Sequence, residues 1–203
     1  MRKVDPAKYE EKRREILAAA GRCFARDGFK GATVSTICAE AKVSPVHLYH
    51  YFESKESIIQ AMTQAGLEYA ATRFGHVMEG SNIVAALVAE LDTAKAHYER
   101  EGQPLLFDML TEATRSPAMG EIVREHSRAI WTLLAEVLRK GQAKGQVDPS
   151  LDPALTAAVL VSIIDGSKIL AIRDSKVDLI EARKLLKVLI TRFLTPPHSP
   201  DSA

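Results

Sequence analysis

Eight consecutive residues, Ser44-Pro45-Val46-His47-Leu48-Tyr49-His50-Tyr51, concentrate groups that suit a nucleic-acid surface. Imidazole N–H groups donate to guanine or phosphate oxygens. A tyrosine hydroxyl donates to phosphate, and its ring edge meets a thymine methyl. Lys55, a few residues on, opposes the dipole of the helix it would open but is well placed for a phosphate. The same residues suit other chemistry poorly. His47 and His50, three apart, could begin a metal site, yet no third Cys, His or carboxylate ligand lies near them, so no metal is expected. Nor does the chain carry an H-E-x-x-H, P-loop, G-x-S-x-G or paired Glu-x-x-His motif. Catalytic residues and cofactors are therefore not expected, and the chain does not read as an enzyme.

The elements that must position this segment are helices. From Pro6 to Arg26, Ile16, Leu17, Ala20 and Phe24 recur at helical spacing, and Asp27-Gly28 predicts a stop in the left-handed conformation that glycine tolerates. Thr33 can cap a second helix through Ile37, Cys38 and Ala41. A tight turn at Lys42-Val43 follows. Ser44 then supplies an N-cap and Pro45 the first helical position of a short helix running to Tyr51. Leu48 and Phe52 face a core, which leaves Pro45, Val46, His47, Tyr49 and His50 outward; Tyr51 suits either packing or a phosphate contact. Two helices joined by a tight turn within a three-helix head form a helix-turn-helix, a unit whose second helix fits the major groove.

The rest of the 203 residues keeps a helical texture. Ser54 caps a fourth helix, and segments 82–101, 104–115, 118–143, 153–173 and 178–194 each show a period near 3.6. The fold class is all-α with about nine helices, and no period-2 stretch suggests a strand. Net charge is +1, but residues 1–60 carry 11 basic and 8 acidic side chains whereas 61–203 carry 16 and 18, a basic head on an acidic body. No apolar run reaches the roughly 18 residues of a membrane span. The basic N-terminus leads into Glu10, Glu11 and Glu15 rather than an apolar stretch, which argues against a secretory signal. Cys23 and Cys38 sit at apolar helical positions, so a cytoplasmic location is the expectation. The expected division is residues 1–53 as the DNA-binding head, 54–195 as a helical bundle, and 196–203, with three prolines, as a disordered tail.

The run Thr33-Val34 … Ile37 … Ala41 … Val43-Ser44 … Leu48-Tyr49-His50-Tyr51-Phe52 … Ser54-Lys55-Glu56 resembles the DNA-binding domain of the TetR/AcrR family of bacterial repressors. The resemblance implies a homodimer that binds a palindromic operator and is released when a small-molecule effector enters the C-terminal domain. On matching positions, Thr33, Tyr49, Tyr51 and Lys55 would hold the DNA backbone, while Ser44, Pro45, Val46, His47 and His50 would lie nearest the base edges. Two departures stand out. Lys42 occupies a turn position where glycine is usual, at a cost of about 1 kcal/mol if the conformation is left-handed. Pro45-Val46-His47 replaces the commoner run of the family, so base preference does not transfer.

The body resembles the C-terminal domain of the BetI-like branch at Leu110-Thr111-Glu112-Ala113-Thr114-Arg115-Ser116-Pro117 and Ile164-Asp165-Gly166. Polar or aromatic members of apolar helix faces, namely His97, Phe107, Asp108, Met109, Glu112, Trp131, Asp165 and Lys168, are the candidate effector contacts. The last two helices, 153–173 and 178–194, are the implied dimer interface; Ala157, Ala158, Val161, Ser162 and Gly166 suit close helix approach, and Leu185, Leu186, Leu189 and Phe193 form an apolar stripe. A transcriptional activator and an effector-independent DNA-binding protein of the same fold remain open alternatives at this point.

Overall fold

The computed structural model describes the backbone of residues 5–101 and 103–197 and the side chains of 5–92, 105–170 and 172–197. Among these residues there are ten helical segments and no strand: α1 (Pro6–Gly31), α2 (Val34–Ala41), α3 (Pro45–Tyr49), α4 (Lys55–Glu79), α5 (Ile83–Glu101), α6 (Gln103–Ala113), α7 (Pro117–Ala143), α8 (Pro153–Ser167), α9 (Leu170–Arg173) and α10 (Leu179–Leu194). The all-α expectation therefore stands. His97 and residues 198–203 of the expected tail lie outside the described side chains.

Two compact units share the chain: Met1–Gly66 with Ala96–His126, and Leu67–Lys95 with Ser127–Ala203. The core of the first is built from Ile16, Ala20 and Phe24 of α1, four apart and hence on one helix face. It continues through Ile37 of α2, Leu48 of α3, Ile58 and Ile59 of α4, and Leu105 and Met109 of α6. In the second unit Ile83 and Val84 of α5 meet Leu134, Val137 and Leu138 of α7, Leu160 of α8, and Ile190 and Leu194 of α10. Two glutamines tie the loop after α7 to its neighbours. Gln146 accepts from the Ile83 amide at 2.8 Å and donates to the Ser81 carbonyl at 2.7 Å, so it caps α5. Gln142 donates to the carbonyls of Asp148 and Leu151. Each bond satisfies a main-chain group that a helix end or loop leaves unpaired.

Three local features differ from the sequence expectation. Helix α3 stops at Tyr49 rather than Tyr51, because the amides of Tyr51 and Phe52 both fold back on the Leu48 carbonyl and tighten the last turn. The single helix expected over 153–173 divides into α8 and α9. There the Ser167 hydroxyl takes the Ile164 carbonyl, and the amides of Lys168 and Ile169 bond three residues back rather than four. Gly28 does break α1, but not in the left-handed conformation. Its φ of 70° and ψ of 172° lie in a region essentially reserved for glycine, and the chain turns there before one more helical turn.

Candidate nucleic-acid interface

The recognition segment is held by local caps. The Thr33 hydroxyl accepts from the Thr36 amide at 3.1 Å while the Thr36 hydroxyl accepts from the Thr33 amide at 2.9 Å, a reciprocal box that starts α2. Lys42 closes it with φ 53° and ψ 46°, the left-handed conformation, and the Val43 amide reaches back to the Cys38 carbonyl at 3.0 Å. The expected cost of a non-glycine residue at this turn is thus incurred. Ser44 caps α3 by accepting from the His47 amide at 3.1 Å, and Pro45 occupies the position where a missing N–H loses nothing.

With Leu48 fully buried, the turn geometry forces the remaining residues of α3 outward. Val46 is 82% exposed and Tyr49 52% exposed. Ser44, Val46, His47, Tyr49 and His50 line one continuous open concavity. An exposed valine at such a level has no packing rationale within the unit, but it suits contact with a thymine methyl. Thr33 and Pro45 are exposed as well.

Tyr51 is half-buried and its ring packs against aromatic neighbours. The ring packs at 4.6 Å, tilted by 31°, against Tyr9 of α1, which also meets His50 edge-on at 6.0 Å; His47 and His50 each sit 5.4 Å from Tyr51. Sequence reasoning missed Tyr9. Its signal was an aromatic residue one helical turn into a charged first segment, legible only once α1 is known to lie against α3.

Lys55, expected to meet a phosphate, has partners within the protein. Its ammonium donates to the Phe29 carbonyl at 2.7 Å and lies 4.0 Å from the centre of the Phe29 ring. Burial lowers its pKa from the ordinary lysine value, against the opposing pull of Glu56 and Glu112. Charge around the α1–α2 contact is likewise paired: Arg22 of α1 meets Glu40 of α2 at 2.7 Å, and within α1 Arg26 meets Asp27 at 2.8 Å. Hydrogen bonds from Arg22 and Arg26 hold the carboxyls of Glu40 and Asp27 below the ordinary range. Cys23 and Cys38 are buried free thiols, and burial pushes both pKa values up, away from the reactive thiolate.

The expected effector residues fall in both units, and each has its own neighbours. In the first unit Met109 is core, the Asp108 carboxylate accepts from the Phe29 amide at 3.0 Å, and Glu112 pairs with Lys30 at 3.3 Å, while Phe107 is half-buried. In the second unit Asp165 and Lys168 pair with each other at 2.7 Å. Trp131 packs against the core with its indole N–H buried and without an acceptor among the described residues. An open groove of about 570 Å³ between α5 and α10, lined by Val88, Asp92, Gln146, Lys187 and Thr191, contains none of these candidates.

The helices expected to dimerise carry outward apolar residues. Leu155 and Val159 of α8 and Leu185, Val188, Leu189 and Phe193 of α10 are exposed. Ala157 and Leu186, expected in that interface, instead face the unit's own core. Among the described residues no helix is long and apolar enough to cross a membrane.

Comparison with known proteins agrees with this geometry. Residues 16–62 match the family described as bacterial regulatory proteins, tetR family, and residues 82–195 match the BetI-type transcriptional repressor, C-terminal family. The HTH-type transcriptional regulator UidR of Escherichia coli K12 is 32% identical over 131 residues, 64% of this chain. That match spans 66% of the length of the curated relative. Salmonella enterica GusR superposes with a TM-score of 0.75 at 29% identity, covering 91% of this chain and 95% of that one. A TetR-family regulator structure from Rhodococcus sp. gives a TM-score of 0.79 at 21% identity, covering 92% and 100%, a likeness of fold.

Proposed function

Since the chain belongs to the TetR family of transcriptional regulators, we propose that it is a homodimeric repressor that binds a palindromic operator and is released by a small-molecule effector. The observation that carries the reading is the outward row on α3: Val46, His47, Tyr49 and His50 exposed over a buried Leu48, on a helix started by a serine cap and a proline. Residues 1–53 form the DNA-binding head in this reading, and 54–195 bind effector and dimerise. Ser44, Pro45, Val46, His47 and His50 address base edges. Thr33, Tyr49 and Tyr51 hold phosphates, and Lys55 joins them with an N–H that it does not use on the Phe29 carbonyl.

Two copies would pair through the exposed rows of α8 and α10, whose apolar side chains at spacings of three and four otherwise stay in water. The two heads would then address half-sites about one DNA turn apart. Trp131 is the strongest effector contact of the expected set, because its buried N–H calls for an acceptor such as a carbonyl, hydroxyl or carboxylate on the effector. Phe107, Asp165 and Lys168 are secondary candidates. For the effector to act, it must bind the two conformations of the dimer with different affinity.

The test is fluorescence anisotropy with duplexes from the region upstream of the protein's own gene, alongside sedimentation of the free protein. The expected result is a dimer that prefers one upstream duplex to a scrambled one. A folded dimer with no preference at low salt, or a folded monomer, would contradict the proposal.

A further inference from the structure

We propose that Asp108 is a positioning residue for operator binding: from α6 it fixes the corner of α1 on which the recognition segment is mounted. The inference rests on the reading of the head as an operator-binding unit and names a residue for its control. Asp108 was expected at the effector site, yet its Oδ2 atom accepts the Phe29 amide at 3.0 Å. That amide follows the break at Gly28, so the helix supplies it with no carbonyl. Gly28 and Asp108 depend on each other. A Cβ built on Gly28 would lie 2.8 Å from the Asp108 Oδ2, so the carboxylate fills the place a side chain would need, and φ of 70° already favours glycine there.

Phe29 is held on its other side too. Its carbonyl accepts the Lys55 ammonium at 2.7 Å, and Lys55 opens α4 directly after the recognition segment. One residue therefore takes a bond from α6 on its N–H and a bond from the start of α4 on its C=O. The same corner also sets where α2 begins. The Ala32 amide returns to the Gly28 carbonyl at 3.0 Å, and Thr33 caps α2 in the next position. A second tie lies one turn along the same face of α6, where Glu112 meets Lys30 at 3.3 Å. Both flanks of α3, the helix before it and the helix after it, are thus referred to a corner that α6 grips at two points.

The experiment uses the full-length protein and compares Asp108→Leu, which removes the acceptor, with Asp108→Asn, which keeps a carbonyl oxygen for the Phe29 amide. Anisotropy is read with the preferred upstream duplex and with a scrambled duplex, and thermal unfolding is followed in parallel. The expected result for Asp108→Leu is an operator affinity lower by about tenfold, with scrambled-duplex affinity within about twofold of wild type, and recovery to within about threefold in Asp108→Asn. Equal operator affinity in Asp108→Leu and wild type would overturn the inference. Parallel weakening on both duplexes in step with a lower folded fraction would also overturn it, as a purely structural role. If Asp108→Leu does not fold, Glu112→Gln loosens the second tie alone. It is expected to weaken the operator by about two- to threefold with scrambled-duplex affinity unchanged, and no change would overturn the inference. Wild type that prefers no upstream duplex would overturn both this inference and the reading beneath it, whereas wild-type preference retained in full by the variants overturns this inference alone.

Discussion

The segment 42–51 and the polar residues of α6 and α8 look alike in sequence, since each sets charged or aromatic groups among apolar neighbours. They differ in what those groups do. In the recognition segment the buried work falls to Leu48, and the structural bonds fall to main chain and caps, so His47, Tyr49 and His50 stay outward. On α6 and α8 the polar side chains are themselves the structural bonds: Asp108 on the Phe29 amide, Glu112 on Lys30, Asp165 on Lys168. A polar side chain that already satisfies the fold must give up or share that bond to meet a ligand, whereas an outward one need not.

The sharpest break in that comparison comes from pairing a buried and an exposed substitution on α3. Leu48→Ala empties a fully buried site and is expected to cost about 2–5 kcal/mol in chemical denaturation. Val46→Ala, two residues away and 82% exposed, should stay within about 0.5 kcal/mol of wild type while changing operator preference. A large loss from Val46→Ala would mean the outward face is structural after all. Next in size, Gly28→Ala forces a side chain into a glycine-only conformation against the Asp108 carboxylate, and a loss of about 1–3 kcal/mol is expected in the same assay. Asp165→Asn tests whether the α8 pair is a stability device. With Asp165 and Lys168 31% and 12% exposed, a loss of about 0.5–1 kcal/mol is expected, and a clear gain in stability would mark the pair as held for another purpose. Lys42→Gly should work in the opposite direction. Releasing the left-handed lysine is expected to raise stability by about 0.5–1 kcal/mol, read as a small rise in Tm.

The legible part of the sequence was the part governed by short-range rules. Ser44-Pro45, Thr33 and Gly28 each announce a helix boundary within three or four residues, so the head's elements fell close to their expected limits. The turn at Lys42 was read from the glycine usual at that position of the resembling family, with its left-handed conformation left conditional, and φ of 53° shows that the lysine does adopt it. What stayed hidden depends on partners far along the chain. Asp108 meets Phe29 across 79 residues, and neither residue's neighbours in sequence signal the other. Tyr9 was overlooked for the same reason, since its role exists only against Tyr51. The division of 153–173 turned on a hydroxyl at Ser167 competing for one carbonyl, a detail that apolar periodicity does not carry.

The central claim is that the outward face of α3 reads sequence while other contacts supply general affinity. The most direct measurement is the salt dependence of binding for wild type and for a Val46→Ala/His47→Ala double variant, each on the preferred upstream duplex and on a scrambled duplex. The account predicts that the double variant keeps the wild-type salt slope, because the phosphate contacts survive, but loses most of the preference for the operator, at about 1–3 kcal/mol for each base contact removed. A double variant that retains the full operator preference would contradict it.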